Sequence, residues 1–262
     1  MKNDEGFRLI GNSAVVFGGS RGVGRAVCIR LANAGANVAF AFHPAECEQE
    51  AAETSAGILA EGRRAVPVKC DIGNAEAVKE AFKIASEALG PICMVVNTAG
   101  SIAPIKPVAD LTSKEWTDYI TVDLNGAFNI VHHAVNHLRL AGGGAIVALS
   151  SIASRTVPFG NSTGAAAKAG VEALIRVVAR EEGRHAIRAN VIGIGVTDTD
   201  MARATLSAWG EATANKMIGA IPLGRIGTPD DVAKMAQFLL SHNATYITGK
   251  VFQVDGGQFI GG

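Results

Sequence analysis

The stretch Ser13-Ala14-Val15-Val16-Phe17-Gly18-Gly19-Ser20-Arg21-Gly22-Val23-Gly24 decides the fold of this chain. Its first five residues form a nearly continuous apolar run, which is typical of a strand buried on both faces of a parallel sheet. The glycines that follow predict a tight turn into a helix, whose free N–H groups and positive dipole end can hold a pyrophosphate. A glycine-rich turn alone is weak evidence, because it can be purely structural.

The same succession of apolar run, turn and amphipathic segment repeats along the chain. It predicts seven strands, at Ser13–Phe17, Asn37–Phe42, Ala65–Lys69, Ile92–Val96, Ala145–Leu149, Ile187–Ile192 and Val251–Val254. It predicts crossover helices at Gly22–Ala34, Glu46–Glu61, Asn74–Leu89, Ser113–Leu140, Thr163–Glu182 and Pro229–Leu240. This alternation predicts the α/β class with a doubly wound parallel sheet, the Rossmann fold. We expect one domain over residues 1–262, with an insertion of one or two helices at about 198–221 that lines the substrate pocket.

The composition favours a small-molecule substrate over a macromolecular partner. Of the 262 residues, 48% are hydrophobic, which is enough for one large core. The 24 Lys and Arg are balanced by 24 Asp and Glu, so no basic surface for nucleic acid or an anionic membrane is expected. Cys28, Cys47, Cys70 and Cys93 form no Cys-x-x-Cys pair, which argues against a metal site and a secreted disulfide framework. Because neither a signal peptide nor a bilayer-spanning run is found, we expect a soluble cytoplasmic protein.

The residues after the second predicted strand indicate which dinucleotide binds. An NAD-binding protein places an acid there on the ribose 2′-hydroxyl, whereas this chain has Phe42 followed by His43. Arg21 and His43 can both approach a 2′-phosphate, and arginine offers it a bidentate fork. We therefore expect NADP(H) as the cofactor. The alternative is that Arg21 and His43 are merely solvated surface residues.

Several motifs resemble the short-chain dehydrogenase/reductase family. The first turn resembles the family's Thr-Gly-x-x-x-Gly-x-Gly, with Phe17 in place of the threonine, and residues 97–100 resemble its Asn-Asn-Ala-Gly. Segments 190–199, 221–232 and 246–257 are similar to the acyl-carrier-protein-reductase branch, so the resemblance extends over almost the entire chain. The cofactor contacts implied by the resemblance, with His43 added from its position, are Gly18, Ser20, Arg21, Gly22, Val23, His43, Asp71, Ile72, Asn97, Ala99, Gly100, Lys168, Thr197 and Thr199.

The segment 161–170, Asn-Ser-Thr-Gly-Ala-Ala-Ala-Lys-Ala-Gly, resembles the family's active-site helix, but Gly164 stands where the family has tyrosine. The resemblance implies that Ser151 binds the substrate oxygen, and that Lys168 holds the nicotinamide ribose and lowers the pKa of the tyrosine. The family's active-site asparagine aligns with Asp123, which can still accept a hydrogen bond from an ordered water. The alternative for Asp123 is a mid-helix acid without a catalytic role.

The loss of the tyrosine removes the expected proton donor. Ser162 and Thr163 carry hydroxyls that are too weakly acidic to replace a phenol, and neither Tyr119 nor Tyr246 lies in the matching segment. A positioned general acid contributes about 10²- to 10⁴-fold to the rate, so its absence matters for any function that needs it.

Three hypotheses of different classes remain open. The first is an NADPH-dependent oxidoreductase that reduces an imine, or a carbonyl protonated through water in the space at Gly164. The second is a non-redox protein that keeps the fold as a scaffold, a regulatory subunit or the catalyst of another reaction. The third is an ordinary ketoreductase in which Gly164 is an engineered or sporadic replacement. The resemblance also implies a homo-oligomer, a tetramer or a dimer, that pairs the long helices at 113–140 and 163–182.

Overall fold

Seven parallel strands form one sheet in the described part of the chain, which comprises residues 8–43 and 48–261 of a computed structural model. The strands are β1 (Ser13–Phe17), β2 (Asn37–Phe42), β3 (Ala65–Lys69), β4 (Met94–Asn97), β5 (Gly144–Ser151), β6 (Ile187–Ile194) and β7 (Val251–Val254). They lie in the order β3-β2-β1-β4-β5-β6-β7. The chain order reverses between β1 and β4, and such a switch point opens a crevice at the carboxyl ends of the strands.

Helices cover both faces of the sheet. They are α1 (Gly22–Asn33), α2 (Glu48–Ala60), α3 (Ala75–Leu89), α4 (Ser113–Ile120), α5 (Gly126–Leu140), the short α6 (Ala153–Thr156), α7 (Ser162–Glu182), α8 (Asp200–Trp209), α9 (Glu211–Gly219) and α10 (Pro229–Leu239). The α/β class and the doubly wound parallel sheet are confirmed. The first two residues of the helix predicted at 46–61 lie outside the described residues. Among those described, no helix is long and apolar enough to cross a membrane.

Two apolar cores, one on each face, fix the helices to the sheet. Along β1 successive side chains point to opposite faces, so Val15 and Phe17 belong to one core and Val16 to the other. The first core contains α3, α5 and α7, and the ring centroids of Phe17 and Phe82 lie 5.3 Å apart in it. The second core contains α1, α2 and α10, packed around Phe40. Burial on both faces explains why the strands read as nearly continuous apolar runs.

The helix predicted over 113–140 contains a π-helical turn, Thr121–Asn125, between α4 and α5. A π-turn adds one residue to a helical turn and is frequent at functional sites. Asp123 lies in the middle of this turn and is buried. Gly126 follows, and a Cβ there would lie 2.8 Å from Ile72 Cδ1, so the glycine lets α5 approach the loop after β3. The inserted residue shifts the phase of the apolar pattern at one point only, and a pattern read over the whole helix does not locate that point.

Two strands, β5 and β6, each extend two residues beyond their predicted ends, and β5 thereby carries Ser150 and Ser151 to the sheet edge. β5 continues through Ser151 and β6 through Ile194, and these two residues are the last pair in the register of the two strands. The added residues of each strand therefore form backbone hydrogen bonds with the added residues of the other. This pairing puts Ser151 on the sheet instead of in a loop.

Candidate active site

The turn between β1 and α1, residues 17–24, is hereafter the dinucleotide turn. Gly18 has a φ of +82°, in the left-handed region that favours glycine, and a Cβ there would lie 2.7 Å from the backbone nitrogen of Ala99. A Cβ on Gly24 would lie 1.9 Å from the carbonyl oxygen of Gly18. Both contacts are with backbone, which cannot move aside cheaply. The turn therefore needs glycine at both positions.

The first turn of α1 leaves its N–H groups open to an anion. The residue before the helix, Arg21, makes no side-chain cap, and the first turn holds no acidic residue. In contrast, α3, α4, α7, α8 and α10 are each capped by a side chain, from Asn74, Thr112, Asn161, Thr199 and Thr228. An uncapped helix end beside glycines is the arrangement that a pyrophosphate requires, so the residues present fit a dinucleotide.

Side chains from outside the turn hold its backbone in place, and sequence reasoning missed them. The Thr98 hydroxyl donates a hydrogen bond to the carbonyl oxygen of Phe17 at 2.8 Å, so a neighbouring strand end supplies a hydroxyl where Phe17 has none. The carbonyl oxygen of Ser20 accepts hydrogen bonds from Thr54 Oγ1 at 2.8 Å and from the guanidinium of Arg25. These partners are 34 and 5 residues away along the chain, and no local motif marks them.

The remaining candidate cofactor residues lie at or just beyond the carboxyl ends of their strands. Ser20, Val23 and Ile72 are buried at the edge. Asn97 accepts a hydrogen bond from Ala99 N at 3.1 Å, and Asp71 accepts one from Gly73 N at 2.9 Å. The structure brings together the loops after β1, β4 and β6, with the candidates Gly18, Gly22, Ala99, Gly100, Thr197 and Thr199.

The two basic candidates for a 2′-phosphate lie on the surface. Arg21 is exposed and lies 3.6 Å from Asp200, the first residue of α8. Such an exposed ion pair contributes little, so the guanidinium is free to exchange partners. His43 is exposed at the end of β2, whereas Phe42 is buried.

A cavity of about 320 Å³ opens next to these loops. Ser151, Asp123, Gly164 and Lys168 all line it, although they come from β5, the π-turn and α7. Most of the other wall is apolar, including Ile102, Leu149, Ile194, Val196, Met201 and Met217. The last two come from α8 and α9, the helices between residues 198 and 221. The cavity suits an uncharged, largely apolar molecule.

Asp123 forms a direct ion pair with Lys168, which the sequence did not lead us to expect. Lys168 Nζ lies 2.8 Å from Asp123 Oδ1, and the aspartate side chain is 1% exposed. Asp123 Oδ2 accepts hydrogen bonds from Ser101 N at 2.8 Å and from Ser101 Oγ at 2.6 Å. A Cβ on Gly100 would lie 2.9 Å from Asp123 Oδ1, so the glycine makes room for this approach. Asp123 thus connects the loop after β4 to α7.

Tyr119 lies in the same cavity, one turn before Asp123. Its side chain is buried, and its hydroxyl interacts with the carboxylate of Asp123. The pKa of this phenol is raised above its usual value, mainly by burial and further by the negative charge of Asp123. We call Ser101, Tyr119, Asp123 and Lys168 the Asp123 cluster. The only sequence signal for Tyr119 is its spacing of four residues from Asp123, which places both on one helix face.

The position of the missing tyrosine is partly filled by a neighbouring side chain. Asn161 caps α7, and its Oδ1 accepts a hydrogen bond from Gly164 N at 3.1 Å. A Cβ on Gly164 would lie only 2.3 Å from that oxygen. The space immediately at Gly164 is therefore occupied by the Asn161 amide, and a side chain at position 164 would have to displace it.

A buried carboxylate supports the segment that carries Ser151. Glu172, on α7, accepts hydrogen bonds from Ser150 Oγ at 2.9 Å and from Ser154 Oγ at 2.6 Å. It also pairs with Arg155 and Arg176, at 2.8 and 3.1 Å. Because these partners lie on both sides of Ser151, the network fixes the chain as it leaves β5.

Comparison with known proteins identifies relatives across almost the entire chain. The family model described as enoyl-(acyl carrier protein) reductase matches residues 18–258. The 3-oxoacyl-(acyl-carrier-protein) reductase of Pseudomonas aeruginosa is 33% identical over 252 residues, which cover 96% of this chain and 99% of that protein.

Two solved structures are similar to the whole fold. A short-chain type dehydrogenase/reductase of Mycobacterium ulcerans has a TM-score of 0.88 at 30% identity, and the match covers 94% of this chain and 89% of that chain. A blue fluorescent protein from a metagenomic library, solved in complex with NADPH, has a TM-score of 0.86 at 31% identity, with coverages of 95% and 98%.

Proposed function

Because this chain belongs to the short-chain dehydrogenase/reductase family, we propose that it is an NADP(H)-dependent oxidoreductase that reduces a carbonyl or an imine in a small molecule. One observation carries this proposal: a single loop, residues 97–101, adjoins both halves of the site. Ala99 N lies against Gly18 of the dinucleotide turn, and Ser101 binds Asp123 beside the cavity. A dinucleotide on the turn would therefore extend toward the cavity.

The preference for NADP(H) rests on charge at the end of β2. Phe42 is buried where an acid would repel a 2′-phosphate, and Arg21 lies exposed in the dinucleotide turn with a weak partner in Asp200. The NADPH complex of a solved relative supports this preference.

When bound, the reduced nicotinamide supplies a hydride to the substrate carbon. The residues of the chain position the substrate and supply polar contacts. Ser151 would donate a hydrogen bond to the substrate oxygen or nitrogen, and Lys168 would hold a ribose hydroxyl. Asp123 fixes the lysine, and the apolar wall of the cavity keeps water away from the reacting atoms.

The test of this proposal is NADPH oxidation with a panel of ketones and cyclic imines. We expect turnover with at least one substrate, and Ser151→Ala and Lys168→Ala should each lower kcat/KM by about 10²-fold or more. Ser86→Ala, on the exposed face of α3, is the matched control and should leave turnover unchanged. Activity that is indifferent to both site substitutions would contradict the assigned roles.

A non-redox role is the second candidate, and the arrangement around Gly164 favours it. Position 164 has no side chain, and the Asn161 amide occupies the space where one would begin. In this case NADPH would bind, which fluorescence titration would show, but no substrate of the panel would be reduced.

We also propose a cytoplasmic homo-oligomer, a dimer or tetramer. Trp116, Phe128 and Val177 are 40%, 53% and 51% exposed on α4, α5 and α7, the helices that would pair between copies. Cys28, Cys70 and Cys93 are free thiols, which suits a reducing compartment. A monomeric mass in light scattering would contradict the oligomer.

A further inference from the structure

The cavity contains few groups that can give up a proton to a substrate. Among the described residues that line it, those with ionisable side chains are Tyr119, Asp123 and Lys168. The serine and threonine hydroxyls around them are much weaker acids than a phenol or an ammonium. A reductase that leaves a negative charge on the substrate must therefore draw its proton from one of these three groups or from water.

Asp123 is the acceptor in each of its hydrogen bonds. Its carboxylate receives hydrogen bonds from Ser101 N, Ser101 Oγ and Lys168 Nζ. An ionised carboxylate has about four lone-pair positions, and these donors take three of them. Asp123 therefore serves as an acceptor that orients its neighbours and leaves little room for a substrate.

Tyr119 is a poor substitute for the missing tyrosine. Its pKa is raised mainly by burial and further by the negative charge of Asp123. A phenol that holds its proton more tightly than a free tyrosine is a weaker general acid. In the family pattern, by contrast, the tyrosine stands beside the lysine and its pKa is lowered.

Lys168 has N–H groups to spare, and they face the cavity. Its ammonium carries three, and among the described residues only Asp123 accepts one of them. The lysine side chain is 15% exposed, against 1% for Asp123, so its free side is the cavity side. Gly164 lies four residues earlier, on the same face of α7, and therefore puts no side chain between the ammonium and the cavity.

Asp123 is the one carboxylate available to Lys168 among the described residues that line the cavity. Asp123 contacts it directly, and Tyr119, on α4, is neutral. Glu172, one turn further along α7, is taken up by Ser150, Ser154, Arg155 and Arg176.

From this geometry we infer that Lys168 itself is the proton donor of the reaction, in place of the family's tyrosine, and that Asp123 and Tyr119 are its positioning residues. The inference rests on the proposed reductase function, which supplies the hydride. As the substrate carbon gains the hydride, the π electron pair moves to the oxygen or nitrogen. That atom forms a bond to a proton of Lys168 Nζ, the N–H bond pair stays on the amine, and the amine regains a proton from water.

The decisive substitution is Lys168→Arg, which keeps a cation beside Asp123 but cannot release a proton. We expect kcat for a ketone to fall by about 10²- to 10⁴-fold. The Kd for NADPH, measured by fluorescence, should change by less than about fivefold, because the arginine can still donate a hydrogen bond to the ribose hydroxyl. Lys114→Arg, on the exposed surface of α4, is the matched control and should leave kcat unchanged. Tyr119→Phe should lower kcat by less than about tenfold, because it removes a support and not the donor.

A second measurement uses the wild-type protein and does not depend on the folding of a variant. The ¹⁵Nζ resonance of Lys168 in the complex with NADP⁺ should titrate with the same midpoint as the alkaline fall of kcat. A difference of more than about one pH unit between the two midpoints would overturn the inference. It would also be overturned if Lys168→Arg kept more than a tenth of the wild-type kcat, or if Tyr119→Phe lowered kcat by 10²-fold or more. If the wild-type protein oxidises NADPH with none of the ketones and imines of the panel, the proposed function fails, and the inference fails with it.

Discussion

The dinucleotide turn and the Asp123 cluster lie at the same edge of the sheet but are made from different parts of the chain. The turn is made of backbone: Gly18 and Gly24 leave no room for a Cβ, and the first N–H groups of α1 are uncapped. The Asp123 cluster is made of side chains from the loop after β4, α4, the π-turn and α7, separated by up to 67 residues between Ser101 and Lys168. A backbone site depends on a short local motif, whereas a side-chain site can be rebuilt by single substitutions.

The largest effect is expected from breaking the Asp123 cluster with Asp123→Leu. Without this carboxylate, the ammonium of Lys168 and the hydrogen-bond donors of Ser101 lose their acceptor at a largely buried position. We expect the free energy of unfolding to fall by about 3 kcal/mol, as measured by chemical denaturation. Asp118→Leu, which breaks an exposed pair with Lys114, is the control and should cost less than about 1 kcal/mol. Equal effects of the two substitutions would show that the buried pair adds nothing.

The turn can be broken by one methyl group, with Gly24→Ala. The added Cβ would meet the carbonyl oxygen of Gly18, so the backbone must shift at the place where the pyrophosphate would bind. We expect the affinity for NADPH to fall by about 100-fold, which corresponds to about 2.7 kcal/mol. Gly183→Ala is the matched control, since nothing lies within 4 Å of its added Cβ. Unchanged NADPH binding in Gly24→Ala would mean that the dinucleotide does not use this turn.

A smaller effect is expected at the rim of the turn, where Arg21 would meet the 2′-phosphate in the proposed NADPH complex. Arg21→Ala should weaken NADPH binding about tenfold and leave NADH binding nearly unchanged, because one exposed charge-assisted contact to the 2′-phosphate is lost. Isothermal titration with both cofactors measures the difference. An equal affinity of wild type for NADPH and NADH would contradict the preference.

The smallest effect concerns the start of α4, the helix that carries Tyr119. Glu115 accepts hydrogen bonds from Lys106 and from Thr112, and these lower its pKa from about 4.5 to about 2. Because the pKa is lower in the folded state, the contact stabilises the protein above pH 4.5, and this contribution is lost as the pH falls toward 2. The unfolding midpoint of Glu115→Gln should lie below that of wild type at pH 7, and the two should converge near pH 2. The same difference in unfolding midpoint at both pH values would show that the ionisation of Glu115 is not its cause.

The two regions also differ in how far the sequence predicts them. The alternation of apolar runs predicts the sheet and its helices, and the glycines of 18–24 predict the dinucleotide turn. The direct pairing of Asp123 with Lys168 depends on the π-turn, which periodicity does not reveal. The cavity position of Tyr119 and the supporting hydroxyl of Thr98 depend on contacts between distant segments. Gly164 is conspicuous in the sequence, but only the structure shows that Asn161 occupies the space beside it.

The double variant Gly164→Tyr/Asn161→Ser tests most directly whether cofactor binding and proton donation depend on separate sites. Serine still caps α7 but is shorter than asparagine, so it leaves room for a Cβ at position 164. The new phenol would stand one turn before Lys168, with Ser151 already in the cavity wall. The account predicts at least a tenfold rise in kcat/KM for a ketone, with the Kd for NADPH within about threefold of wild type. No rise in ketone reduction, or a loss of NADPH binding, would contradict it.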